Sequence, residues 1–160
     1  MTEFTKQEDS RRIFINTLEE LHGPKNILVT CDVGMNYVNT TKLKVFNFGV
    51  TEPSSTLISA ALGLSGYTVW LYSMINFVTF RVHEQVRNGI VMHKANVKII
   101  GVKGSEAYKF LGFSHNLLYP EEDIDFCKNI KLRYYTPQLS EVREIVLREN
   151  KDDSACYIRL

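Results

Sequence analysis

Short apolar runs alternate with segments of helical period along this chain, and turn residues separate them. Apolar positions at helical spacing run from Ser10 to His22, where Gly23-Pro24 stops them, which predicts a helix. Ile27 to Asp32 predicts a short buried strand, with Asp32-Val33-Gly34 turning out of its carboxyl end. Val45 to Phe48 is the next predicted strand, Pro53 to Gly66 a helix and Thr68 to Tyr72 a strand. A helix from about Ile75 to Gly89 follows, then a strand from Val97 to Val102 and a glycine-bearing loop from Lys103 to Pro120. Glu121 to Asn129 predicts a short helix and Leu132 to Tyr135 a strand. Ser140 to Glu149 predicts a helix with Val142, Ile145 and Val146 on its apolar face, and Ala155 to Leu160 a final strand. Strands that alternate with helices predict an α/β fold: three layers, helix on sheet on helix, around a mainly parallel sheet with crossover helices.

Ligands of open α/β sheets sit at the carboxyl ends of the strands. Asp32, Glu52, Ser73 and Lys103 all fall at such ends and form a candidate rim. Glu52 stands out, because it lies between an apolar strand and a helix of small residues, Pro53-Ser-Ser-Thr-Leu-Ile-Ser-Ala-Ala-Leu-Gly-Leu-Ser-Gly66. Pro53 suits a first helical position, and Ser54, Ser55 and Thr56 are residues that can satisfy free donors at a helix start. A carboxylate there lies in the positive end of the helix field, and burial penalises the charged form of an acid. Such a group is placed either to exchange a proton or simply to cap its helix, and the local pattern leaves both open.

Composition narrows the function classes. The chain has 160 residues, which predicts one domain over 1–160 with a proper core, and its net charge of +1 comes without a basic run. The electrostatic footprint of a nucleic-acid binder is therefore missing. Apolar stretches end well before membrane-spanning length, and Met1-Thr2-Glu3-Phe4-Thr5-Lys6-Gln7-Glu8 is too polar for a secretory signal. Cys31, Cys127 and Cys156 are far apart and show no Cys-x-x-Cys spacing, which predicts reduced thiols, a cytoplasmic location and no zinc or disulfide frame. Cys31 and Cys156 fall in predicted strands and read as small core residues. His22, His83 and His93 have no metal-ligand spacing, so no metal site is assigned to the chain.

Gly49-Val50-Thr51-Glu52, followed by Ile58-Ser-Ala-Ala-Leu-Gly-Leu-Ser-Gly66, resembles the Gly-(Val/Ile)-(Ala/Thr)-Glu signature of the transketolase family. Asn76-Phe77-Val78-Thr79-Phe80 is similar to a transketolase core motif. Arg81-Val-His-Glu84-Gln85 is similar to the Arg-x-x-Glu-Gln of the related deoxyxylulose-phosphate synthases and 2-oxoacid dehydrogenase β-subunits. Asn96 to Val102, Gly112-Phe113-Ser114-His115 with Glu122-Asp123-Ile124, and Ala155 to Leu160 continue the likeness in order, so that it runs from about Arg11 to Leu160.

The resemblance implies the pyrimidine-type thiamine diphosphate-binding fold and assigns roles residue by residue. Glu52 matches the family glutamate that hydrogen-bonds a pyrimidine nitrogen of thiamine diphosphate and favours the tautomer that removes the thiazolium proton. Phe77 matches the stacking aromatic and Phe80 a neighbouring ring, with Met74 one turn earlier; counting back from Glu84-Gln85 puts Val78 in the stacking position instead. A Met/Phe stripe at this spacing is equally the pattern of ordinary helix core. Arg81 matches an arginine near the pyrimidine, and Asp32 at the rim completes the expected cofactor set. His115 resembles a histidine that meets the donor sugar. Leu111 stands where transketolases usually carry an acid, and Lys103 or its neighbour where many carry a histidine, so Lys103 suits a phosphate or carboxylate substrate. Arg11 resembles an arginine that can reach a substrate phosphate, and alternatively reads as a solvated residue near a helix start.

The family's metal-diphosphate motif, Gly-Asp-Gly followed at a distance by Asn, is missing from the sequence, as are a P-loop and a Gly-x-Gly-x-x-Gly turn. The resemblance therefore implies a separate diphosphate-binding subunit that also holds Mg2+ or a similar divalent metal, in a heterotetramer or with this chain as a homodimer. The expected activity is a transketolase-like transfer of a two-carbon ketol or acyl unit between sugars or 2-oxo compounds. The competing readings are a non-catalytic binding or regulatory module of the same fold, and a subunit of a 2-oxoacid decarboxylase or dehydrogenase.

Overall fold

The computed structural model describes residues 3–35, 37–38, 42–102 and 108–160. Helix α1 (Glu3–Glu20) leads into strand β1 (Asn26–Thr30), then β2 (Lys44–Asn47), α2 (Glu52–Leu64) and β3 (Thr68–Met74). A single turn α3 (Ile75–Val78) follows, then a 3-10 turn (Phe80–Val82), a π-helical stretch (Gln85–Met92) and β4 (Val97–Val102). After a loop with two short 3-10 turns come α4 (Glu122–Asn129), β5 (Arg133–Tyr135), α5 (Val142–Glu149) and β6 (Cys156–Arg159). The six strands form one sheet in the order β2-β1-β3-β4-β6-β5, and every pairing is parallel. No described helix is long and apolar enough to cross a membrane.

Period-two alternation explains why the strands read as nearly continuous apolar runs. In β1 and β3, Ile27, Val29, Val69 and Leu71 join one core with α2, the 75–92 segment and α4. Leu28, Trp70 and Tyr72 face the opposite way, into a second core with α1 and α5. Both faces of the sheet are thus covered, as a parallel sheet with crossover helices requires. The chain leaves β1 toward β2 and returns through α2 to β3 on β1's other side. The direction of winding reverses between β1 and β3, and their carboxyl ends open the crevice where α2 begins.

Three sequence expectations change. The helix predicted from Ile75 to Gly89 is broken at Thr79, whose φ and ψ are −118° and −83°. The Thr79 hydroxyl donates to the Ile75 carbonyl at 2.6 Å, a side-chain bond of the kind that competes with the helix ladder. Met74 ends β3, which runs two residues past the predicted Tyr72, and Phe80 and Arg81 sit on a separate turn. The hydroxyls at the start of α2 do not cap it: Thr56 Oγ donates back to the Glu52 carbonyl and Ser59 Oγ to the Ser55 carbonyl, both at 2.7 Å. Arg11 is not a solvated residue near a helix start. Helix α1 begins well before it, at Glu3, and Arg11 is buried with its guanidinium 4.6 Å over the Tyr37 ring.

Candidate functional site

Glu52 is the first residue of α2 and is only 2% exposed. Pro53 follows it, and the free donors of the helix start surround it. Its Oε1 lies 2.9 Å from Arg81 Nη1 in an ion pair, yet among the described residues it accepts no well-aligned hydrogen bond. A buried carboxylate oxygen in this state is costly, and it is the atom on which a well-aligned donor gains most. The Arg81 guanidinium also lies flat against Phe77, its carbon 3.7 Å from the ring centroid. Arg81 itself is a little over one-third exposed, with 37% of its side chain reaching solvent.

Phe77 is buried in α3, and its ring meets His115 edge-on with centroids 5.2 Å apart. The His115 ring contacts Tyr108 in the same manner at 6.3 Å, and its Nδ1 pairs with Ser114 Oγ at 2.8 Å. Beside this group opens a cleft of about 480 Å³ lined by Asn76, Phe77, Phe80, Arg81, Asn116 and Glu122, among others. Asn76 and Asn116 hold its wall together. Asn76 Nδ2 donates to the Asn116 carbonyl at 2.9 Å, and Asn116 Nδ2 to the Tyr108 and Gly112 carbonyls at 3.0 and 2.7 Å. Both side-chain carbonyls, and Ser73 Oγ at the end of β3, are buried without hydrogen-bond partners among the described residues.

The fold thus brings Glu52, Phe77, Arg81 and His115 to one place. Phe80 lines the same cleft and also packs edge-on against Phe126, centroids 6.1 Å apart, on the side of a second cleft with His83 and Tyr119. Met74 is buried at the end of β3 beneath α3. Asp32, at φ 57°, is engaged by Asn47: its Oδ1 accepts from Asn47 Nδ2 at 2.7 Å and its N–H donates to Asn47 Oδ1 at 3.0 Å. That pair ties the carboxyl ends of β1 and β2 together. Lys103 lies outside the described residues. Sequence reasoning passed over Asn76 and Asn116, because neutral amides carry no titratable signal, although Asn76 opens the Asn-Phe-Val-Thr-Phe motif.

Among the described residues no group of three or more His, Cys, Asp or Glu side chains is arranged to hold a metal ion. For a flat heterocycle with a ring nitrogen the residues do fit. A buried carboxylate oxygen that accepts no aligned hydrogen bond among the described residues faces the planar guanidinium of Arg81 on the Phe77 ring, and the cleft beside it opens to solvent.

No family model matches the sequence. Over 116 residues, 68% of the chain, it is 38% identical to one of the subunits of an apulose-4-phosphate transketolase from Phocaeicola vulgatus. The chain belongs to the transketolase family. It spans 37% of that relative's length. Among solved structures, a split-gene transketolase described as an inactive beta4 tetramer superposes with a TM-score of 0.79 at 24% identity, covering 94% of this chain and 50% of that one. The transketolase of Campylobacter jejuni superposes at 0.76 with 14% identity, over 96% of this chain and 25% of its own. The three-layer fold with its parallel sheet is therefore the transketolase-like α/β fold.

Proposed function

We propose that this chain is the pyrimidine-binding subunit of a split, thiamine diphosphate-dependent, transketolase-like enzyme that transfers a two-carbon ketol unit. The observation that carries the proposal is the buried, unsatisfied Oε1 of Glu52 at the start of α2, beside the face of Phe77. When bound, thiamine diphosphate supplies the electron sink that a ketol transfer needs. Glu52 Oε1 holds the proton shared with a pyrimidine nitrogen, and its burial keeps water from competing for that proton. Phe77 orients the flat ring, with Met74, Phe80 and Arg81 close by. His115, edge-on to Phe77, contacts the donor substrate, and Lys103 is a candidate for a phosphate or carboxylate on it. A separate chain, related to the other part of the split transketolases, holds the diphosphate and its divalent metal. That the Phocaeicola relative is itself one subunit of a transketolase supports this division of labour.

Calorimetric titration of thiamine diphosphate with magnesium tests this, into the chain alone and into its mixture with a diphosphate-binding partner, for the wild type and Glu52→Ala. Tight binding only in the mixture, with turnover lost in Glu52→Ala, is the expected result. Failure of the two chains to associate, with no binding in either case, would remove the enzyme reading. It would favour a non-catalytic module of the same fold, a reading to which Leu111 also lends support, since it stands where transketolases usually carry an acid.

A further inference from the structure

The guanidinium of Arg81 makes two contacts that a flat, nitrogen-bearing ring would need for itself. It touches Glu52 Oε1 at 2.9 Å and covers the Phe77 face at 3.7 Å. A planar cation of this kind has the thickness and the edge donors of a heteroaromatic ring. The two occupants cannot share the slot, because each needs the same oxygen and the same ring face.

We propose that Arg81 is a built-in occupant of the heterocycle slot, displaced when a cofactor ring enters. The inference rests on the pyrimidine-binding reading above and adds a self-competition to it. Three features make the occupant replaceable. Its contact with Oε1 is an ion pair without an aligned hydrogen bond, so a ring donor that aligns gains what Arg81 leaves unused. Its side chain is partly exposed, at the mouth of the 480 Å³ cleft, and so has space to withdraw. Glu122 lines the same cleft and offers the withdrawn guanidinium a second carboxylate. The break at Thr79 matters here. It places Arg81 on the Phe80–Val82 turn, free of the regular helix that the sequence predicts. In the free chain Arg81 offsets the charge of Glu52 and shields the Phe77 face. The cost is a lower apparent affinity for any ring, in proportion to the fraction of time that the slot is filled.

The test uses the full chain, alone and mixed with its diphosphate-binding partner, and 4-amino-5-hydroxymethyl-2-methylpyrimidine as the probe, in wild type, Arg81→Met and Arg81→Lys, with affinity read by calorimetry or NMR titration. Arg81→Met is expected to bind at least about fivefold more tightly than wild type. Arg81→Lys, which keeps the charge and loses the plane, should also bind more tightly. In the wild type the Arg81 Nε–H resonance should start shifted by the Phe77 ring current and move to the position of a solvated arginine as the probe saturates. Equal or weaker binding by both variants, with the Nε–H resonance unmoved at saturation, overturns the occupant while leaving the heterocycle site standing. If none of the three proteins binds the probe at millimolar concentration even with the partner present, the pyrimidine-binding reading falls, and the proposal falls with it.

Discussion

His115 meets Phe77 edge to face, ring centroids 5.2 Å apart, although one residue lies in the loop before α4 and the other in the turn after β3. This contact couples the proposed substrate side of the site to its proposed cofactor wall. The loop is held there by side chains: Asn76 and Asn116 bind its backbone, and the Leu118 N–H donates to Glu122 Oε2 at 2.7 Å. His115→Ala is therefore expected to weaken donor use in the assembled enzyme by at least about tenfold in kcat/KM. Cofactor affinity should change little. Steady-state kinetics beside a cofactor titration separates the two, and an equal loss of both would place His115 on the cofactor instead.

Gly63 lets α2 approach the segment before β4. A Cβ at this position would lie 2.9 Å from the Asn96 amide nitrogen and 3.0 Å from its carbonyl oxygen, both backbone atoms that cannot turn aside. Alanine normally favours a helix interior by about 1 kcal/mol over glycine. Here overpacking outweighs that gain, and Gly63→Ala should destabilise the chain by about 1–3 kcal/mol. The midpoint of urea unfolding measures it.

Tyr157 is buried in β6, and its hydroxyl donates to Asp123 Oδ2 at 2.6 Å, tying the sheet to the start of α4. Gly101 on the neighbouring strand leaves room for that hydroxyl, since a Cβ there would stand 2.4 Å from it. Arg159 holds the same carboxylate through its Nε at 2.9 Å and also reaches the Pro120 carbonyl at 2.9 Å. Tyr157→Phe keeps the packing and removes one bond to a buried carboxylate, at a cost of about 1–3 kcal/mol. Amide exchange should accelerate first in the 118–124 region.

Acid should weaken the far end of the sheet. Arg133, donating to Asp152 at 2.7 Å, holds that carboxyl below the usual range, and the Ser154 hydroxyl and N–H add to the effect. A depressed carboxyl stabilises the fold above its unfolded value of about 3.9, and that contribution is lost as pH falls toward the folded value. Denaturation of the wild type and Asp152→Asn should thus differ most near neutral pH. The gap should narrow below about pH 4.

All three cysteines are buried and unpaired. Burial raises the thiols of Cys31 and Cys156, and it pushes Cys127 up to about 12, with Asp123 adding to the effect. A thiol in this state holds little thiolate and reacts slowly. Ellman's reagent at pH 8 should modify none of the three in the native chain within the time that denatured chain reacts fully.

The order of elements, the parallel sheet and the place of Glu52 at the start of a helix were legible in the sequence. Each depends on local signals: apolar runs bounded by Gly and Pro, small residues after Glu52, and the Gly-Val-Thr-Glu and Asn-Phe-Val-Thr-Phe blocks. Burial of Cys156 followed from its place in β6, and Cys31 is buried just past the end of β1. What depends on atoms far apart in the chain was not legible. Periodicity carries the helix after β3 through Thr79, but the backbone departs from helical geometry there and Arg81, on the next turn, meets Glu52. Asp32, at the rim in sequence, is engaged by Asn47 across two strands. Arg11 is buried because α1 lays it against Tyr37. Spacing along a chain fixes which face of an element a side chain joins. Which partner that side chain then meets is decided only when the sheet order brings the elements together.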